Sequence, residues 1–390
     1  MSLPVPSIAT RLGAAYFFLF IAVGAWAPFA GPWLASLGFD ATAIGLLLGI
    51  GAATKLVAPT LWGWLADASG AHTRLVRWTT LATAFCALLL WLTPPRLAPI
   101  AAVIAAMMFC WNAGNPQLEV ITLRMLGLAG HRYGLVRLWG SLGFLLAVLA
   151  CGAWFEREGL TAFAPILATA LAATFLVSWW IPELPARENP TGPDSFGGAL
   201  RAPSVVPLFA TLFLMQFGFG PYYGFFSLYL AELGFGTTAV GALWALGVVA
   251  EIVAFALLPG LLPRVAPLGL LQLSCALTAL RWLVVALAAD KMPLLVAAQL
   301  LHFASFAVYH AVAVQLVQQA FPGRYAGRGQ ALHSTIAYGA GGACGVMASG
   351  WCWDRFGPAS PFLLGAAAAT GAWVCAVWLG RRYPQRSETT

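Results

Sequence analysis

The stretch "LASLGFDATAIGLLLGIG", residues 34–51, returns 196 positions later as "LAELGFGTTAVGALWALG", residues 230–247, with ten of the eighteen positions identical. A second echo, at an offset of 198, sets "EREG" (156–159) over "DRFG" (354–357). Agreement over that length means that the chain carries two copies of one plan. The copies are almost wholly apolar, so what the plan is follows from the solvent that would tolerate it.

Of the 390 residues 61% are hydrophobic and 8% charged, whereas a soluble globular domain carries about 25% charged residues. That balance excludes an ordinary soluble enzyme. Stretches such as "IAAVIAAMMFCWNAGNP" (100–116) and "PLLVAAQLLHFASFAVYHAVAVQLV" (293–317) approach or exceed the roughly 20 residues that a bilayer-spanning helix needs. Charged, Pro-rich and Gly-rich breaks delimit twelve spans, near 9–36, 41–67, 74–93, 97–123, 131–154, 161–181, 204–231, 238–259, 267–288, 293–319, 329–352 and 359–380. The expectation is an all-α membrane protein. The first span has no basic n-region and no short h-region ending in a cleavage site, so it is read as retained.

Residues 182–203 are polar and rich in Pro and Gly, the composition of a linker. They divide the chain into a first six-helix bundle, 1–181, and a second, 204–390. Six spans per half preserve direction through the membrane, so the copies are parallel repeats related by a pseudo-two-fold axis along the membrane normal.

Orientation follows from the positive residues. With the N-terminus inside, the inner loops and tails hold thirteen: Arg11, Arg74, Arg77, Arg124, Arg132, Arg187, Arg201, Arg264, Arg324, Arg328, Arg381, Arg382 and Arg386. The outer loops hold four: Arg96, Arg157, Lys291 and Arg355. The asymmetry predicts a cytoplasmic (inner) membrane protein with both termini cytoplasmic. The net charge of +7 is then a topological signal and calls for no nucleic-acid partner. Seven cysteines show no CxxC or CxxH spacing, which gives no metal site and leaves them as packing residues.

Few ionisable residues lie inside the spans: Lys55, Glu119, Arg137, Glu251, Arg281, His302 and His310. A charge at a helix centre costs about 3 kcal/mol on insertion scales, and such residues usually face a wet cavity or a partner. Lys55 and Glu251 are equivalent in the repeat, so the halves place opposite charges at equivalent depth. Fixed ion pairs between helices remain an alternative for any one of them. His302, Ser305 and Tyr309 fall at i, i+3 and i+7, which predicts one polar face on the tenth span. For His302 an interhelical hydrogen bond is an equal reading, and for His310 it is the plainer one. Trp111, Trp139, Tyr222, Tyr223, Phe226 and Trp244 cluster in or beside the charged spans, whereas Trp62, Trp91 and Trp179 lie near span ends, as an interfacial belt would.

The segment "GWLADASG" (63–70), followed by Arg74, resembles the cytoplasmic signature of the major facilitator superfamily, although Ala68 and Ala71 stand where basic residues are usual. It carries the conformational candidates Gly63, Asp67, Gly70 and Arg74. "NAGNPQLE" (112–119) and "YGLVRLWGSLGF" (133–144) resemble the lactose permease and, more closely, the phenylpropionate permease branch. "YYGFFSLYLAELGFGTTAVGALWALGVVAEIVAFAL" (222–257), "LRW" (280–282) and "QLLHFASFAVYH" (299–310) strengthen that comparison. The resemblance implies proton-coupled transport. It matches Glu119 and Arg137 to a carboxylate and an arginine that contact the sugar, Glu251 to a carboxylate of binding and coupling, and Arg281 to an arginine near the proton site. Ala304 and Ala307 stand where the lactose permease has its histidine and glutamate, so the group that holds the coupling proton is left open.

Lys55, Arg137 and Arg281 exceed Glu119 and Glu251 by one positive charge, which an anionic substrate would balance. The expectation is a monomeric secondary transporter that imports a small aromatic carboxylate with a proton by alternating access and needs no cofactor. Lys55, Glu119, Arg137, Trp139, Tyr222, Tyr223 and Trp244 are its candidate substrate-binding residues. Glu251, Arg281 and His302 are its candidate coupling residues. Transport of a sugar, nucleoside or siderophore-type solute, or export, is the alternative. A channel or an intramembrane enzyme is more remote, since no HExxH or GxSxG appears.

Overall fold

The computed structural model describes residues 7–127, 133–184, 200, 202–262 and 264–382. Among them every regular element is a helix, as expected where no water is present to satisfy an open sheet edge. Eleven of the helices are long and apolar enough to cross a membrane. They are α1 (Ile8–Trp26), α2 (Ala41–Ser69), α3 (His72–Leu92), α4 (Leu97–Leu126), α5 (Tyr133–Glu158), α6 (Leu160–Ser178), α7 (Val205–Glu232), α8 (Thr237–Leu261), α9 (Pro267–Ala288), α10 (Met292–Ala320) and α12 (Ser360–Arg381). The expected eleventh span, α11, is a helical run of three pieces: Ala326–His333, a π segment Ser334–Gly341, and Gly342–Phe356. Most of the linker, and Arg132, Arg187, Arg201 and Arg386, lie outside the described residues.

Two spans differ from simple helices near residues of interest. α2 is interrupted by a 3-10 turn at Thr54–Leu56, and α10 by a π segment at Phe303–Val308. Buried threonines inside the spans return their hydroxyls to the carbonyl four residues back, as Thr83 does to Thr79, Thr122 to Leu118 and Thr278 to Ser274. The hydroxyl hydrogens of these threonines are then not left facing hydrocarbon.

The chain gathers into two compact units. One is Met1–Pro190 with Tyr223–Ala245, the other Thr191–Tyr222 with Leu246–Thr390. Within the first, α1 packs on α5 and α6, α3 on α4 and α6, and α2 on α4. Within the second, α9 packs on α10 and α12, and α7 on α11 and α12. In lipid there is no hydrophobic force between helices, so close backbone approach through small residues takes its place. A Cβ on Gly143 of α5 would run into the Phe17 carbonyl of α1, and a Cβ on Gly341 of α11 into the Phe213 carbonyl of α7. Phe17 and Phe213 are 196 apart and Gly143 and Gly341 are 198 apart, so the two offsets of the sequence repeat return as one helix contact made twice.

Helix starts show where the copies diverge. The Asp40 carboxylate caps α2 by accepting the Ala43 N–H at 2.7 Å. At the equivalent place before α8 stands Gly236, and there Glu156 of α5 accepts the Thr238 N–H at 3.1 Å and the Thr237 hydroxyl at 3.2 Å. A Cβ at position 236 would displace the Glu156 carboxylate from this place.

Candidate functional site

Arg281, on α9, has no exposed surface. A guanidinium only donates and does not deprotonate, so the fold must supply acceptors. One terminal nitrogen lies 2.8 Å from His302 Nδ1 and 2.8 Å from Ser305 Oγ, and the other donates to Gln299 Oε1 at 3.1 Å. The rings of Tyr222 and Trp282 lie 4.6 and 4.4 Å from its carbon, which adds two cation–π contacts. The Tyr222 hydroxyl reaches the same Gln299 oxygen at 3.4 Å.

This arrangement decides the state of His302. Because Arg281 can only donate, Nδ1 must accept, and the imidazole is neutral with its proton on Nε2. That Nε2 faces Glu251 Oε2 of α8 at 3.7 Å. A second proton has no room on His302 while Arg281 holds Nδ1, so of the two facing groups Glu251 is the one able to take a proton. Gly247, one turn before Glu251, lies against His302 and Gln299.

The π segment rearranges the face expected on the tenth span. His302 and Ser305 both meet Arg281, but Tyr309 turns to α7 and donates to the Leu212 carbonyl at 3.2 Å. The wider i→i+5 turn also brings His302, Phe306 and His310 into a column, with ring centroids 5.5 and 6.2 Å apart. Period-3.6 spacing alone sets His310 on a different face.

Arg137 of α5 is held differently. Its guanidinium lies over Phe20 at 4.0 Å and Tyr16 at 5.6 Å, in a space that Gly140 keeps open. Glu119 accepts from Asn115 Nδ2 at 3.4 Å and is in Coulombic range of Arg137, yet no ion pair within 4.0 Å joins them among the described residues. Trp139 is half exposed and packs on Gly13, two positions and so about 200° round the helix from Arg137; the two are not brought together. Lys55 sits in the 3-10 turn of α2, where Thr54 donates to the Gly51 carbonyl and accepts from Asn112 Nδ2 at 2.8 Å. Trp244 is buried, bonds Ser227 Oγ at 3.1 Å, and has Tyr223 and Phe144 beside its ring.

In the signature segment, Gly70 takes the left-handed conformation (φ 64°) that ends the helix. Asp67 meets His72 Nε2 at 3.6 Å, while Arg74 is exposed and forms no ion pair among the described residues. His72 is buried, with Nδ1 2.8 Å from Gln117 Oε1 and Nε2 3.2 Å from Arg124. A proton on Nε2 would change it from an acceptor for Arg124 into a donor for Asp67. The residues not picked out from the sequence, Gln117, His72, Gln299 and Tyr338, are uncharged or weakly basic and carry no signal in a hydropathy pattern.

Residues 9–364 match the MFS_1-like family. The chain belongs to that family of major facilitator transporters. This transporter is 28% identical to the probable 3-phenylpropionic acid transporter of Escherichia coli (strain K12), over 89% of its own chain and 91% of that protein. It is 29% identical to the maltose permease of Geobacillus stearothermophilus, over 87% and 86% of the two chains. Its fold is that of solved major facilitator structures. The nucleoside transporter NupG superposes with a TM-score of 0.75 at 16% identity, covering 98% of this chain and 100% of that one. An auto-inhibited POT-family peptide transporter superposes with a TM-score of 0.79 at 13% identity, covering 99% of each. The transporter is thus a multi-pass membrane protein of twelve-helix type, and its relatives are carriers and not enzymes.

Proposed function

We propose that this transporter is a monomeric symporter of the cytoplasmic membrane, with both termini cytoplasmic, that imports a small carboxylate, aromatic in the leading version, together with a proton. Its working parts are two six-helix halves, 1–181 and 204–390, joined by the linker at 182–203. The observation that carries the reading is the line Glu251–His302–Arg281. With Glu251 ionised, Arg281 has a carboxylate one imidazole away to balance it. Protonating Glu251 removes that charge and leaves a buried guanidinium in need of an anion, so proton and carboxylate bind as partners. Release of the anion restores the need for a charged Glu251, and the proton leaves.

Two further features support an oxygen-bearing anion. Gln299 Nε2 and Trp282 Nε1, both buried, have no hydrogen-bond partner, and such donors are normally satisfied. The probable phenylpropionate transporter among the relatives favours an aromatic acid; the maltose permease favours the second reading, a proton-coupled sugar carrier. Lys55, Glu119, Arg137, Tyr222, Tyr223, Trp139 and Trp244 are proposed as substrate-binding residues. Gly63, Asp67, Gly70, His72 and Arg74 are proposed as the conformational segment.

The test is Glu251→Gln in proteoliposomes. The neutral amide cannot cycle a proton, so accumulation of 3-phenylpropionate driven by an inside-alkaline gradient is expected to vanish, while exchange of labelled for unlabelled acid continues. Normal accumulation by the variant would remove Glu251 from coupling.

A further inference from the structure

Coupling through Glu251 requires that its proton reach the inner surface, and the described side chains around it offer a route. His302 cannot carry the proton, because Arg281 occupies its Nδ1. Nor can a proton pass from His302 along α10 to His310, because the carbon ring of Phe306 is stacked between the two imidazoles. Tyr338 of α11 lies within Coulombic range of the Glu251 carboxylate. The Tyr338 hydroxyl is 2.8 Å from His310 Nδ1. His333, one turn nearer the start of α11, has its ring 5.4 Å from that of Tyr338 and lies in Coulombic range of His310. It is buried, at 2% exposure, and its Nε2 has no hydrogen-bond partner.

Each of these groups sits at or in a π turn. Tyr338 is inside Ser334–Gly341, His333 immediately precedes it, and His310 follows Phe303–Val308 by two residues. Such turns are uncommon and are frequently found at functional sites. Here they turn α10 and α11 so that hydroxyl and imidazole meet.

We infer that Tyr338, His310 and His333 form the path by which the Glu251 proton leaves toward the inner ends of α10 and α11. The inference rests on the assignment of Glu251 as the coupling carboxylate. Glu251 gives its proton to the Tyr338 oxygen, directly or through one water, as Tyr338 passes its own hydrogen to His310 Nδ1. The products are a carboxylate, a neutral phenol and an imidazolium. The imidazolium then releases its Nε2 proton to His333 or to water from the inner side, which leaves His310 as the Nδ1–H tautomer; a ring flip, or exchange of that proton with water, restores Nδ1 as the acceptor before the next cycle. The other hydroxyls and the arginine described near the route are engaged elsewhere. Tyr309 of α10 commits its hydroxyl to the Leu212 carbonyl, while Tyr222 of α7 and Arg281 of α9 are engaged with Gln299.

The experiment compares Tyr338→Phe, His310→Gln and His333→Gln in proteoliposomes loaded for either exchange or net uptake of 3-phenylpropionate. Exchange needs no proton release and is expected to continue. The initial rate of uptake driven by an inside-alkaline gradient is expected to fall about a hundredfold in Tyr338→Phe and His310→Gln, the scale of a lost proton-transfer group. Accumulation at long times is expected to match the unaltered protein, since a relay sets rate and not stoichiometry. Imidazole trapped inside the vesicles is expected to restore the rate of His310→Gly, which a merely structural role for His310 would not allow. Unchanged initial rates in all three variants, with Glu251→Gln uncoupled, would overturn the relay and leave the coupling site standing. Normal accumulation by Glu251→Gln would instead overturn the coupling site, and the relay with it.

Discussion

Two arginines inside the spans meet the same physical demand by different means. Arg281 is surrounded by acceptors on His302, Ser305 and Gln299, whereas Arg137 has the faces of Phe20 and Tyr16 and a Glu119 beyond ion-pair distance. A planar fork in that state matches a carboxylate in two hydrogen bonds, and an ammonium does not. Arg137→Lys is therefore expected to weaken binding of an aromatic acid by about 1.5 to 3 kcal/mol. The amide of the same compound is expected to bind the unaltered protein poorly and to lose little more; equal losses for acid and amide would make Arg137 a structural residue. The positions of these charges were legible in the sequence, because a charge in an apolar run is visible wherever it falls. Their partners were not. Asp67 meets His72, which the signature does not single out, since which side chain reaches it depends on the left-handed turn at Gly70 and on Gln117 and Arg124 arriving from α4.

At the scale of elements, the spans could be read from hydropathy, but the turns inside them could not. Hydropathy marks where a helix lies and is blind to whether it bonds at i+3, i+4 or i+5. For that reason the 3-10 turn at Lys55 and the π turns of α10 and α11 were absent from the expectation, and with them the column of His302, Phe306 and His310. The cap of α8 is another element feature, visible only once α5 is beside it. Glu156→Ala removes an acceptor from the Thr238 N–H and is expected to cost about 1 kcal/mol, as loss of an N-cap does. It would also empty the space in front of Gly236. Gly236→Asp in that background reproduces the self-capping of Asp40 in α2, and the double variant is expected to recover most of the thermal stability in detergent. If Gly236→Asp recovers none of it, Glu156 acts through Thr237 or through packing.

At the scale of the whole molecule, the repeat was legible because it survives as identity in one stretch, and the recurrent Gly143–Phe17 and Gly341–Phe213 contacts explain what that identity preserves. What the repeat does not preserve is charge: Lys55 stands at the repeat position equivalent to Glu251, and Arg137 and Arg281 complete an excess of one positive charge over Glu119 and Glu251. That excess distinguishes the two substrate readings by their response to voltage. If one proton enters with one carboxylate, the charges cancel, and the cycle moves none across the membrane. Accumulation should then follow an imposed pH gradient and ignore a potassium-diffusion potential set with valinomycin at equal pH. If the substrate is a neutral sugar, each cycle carries one positive charge inward, and 100 mV, inside negative, contributes about 2.3 kcal/mol, or roughly fortyfold accumulation. The expected result is accumulation of 3-phenylpropionate under the pH gradient and none under voltage alone, with no voltage-driven uptake of maltose. Voltage-driven accumulation of maltose would reverse the order of the two readings, and it would assign the unbalanced charge to the protein's resting state instead of to an anion that it binds.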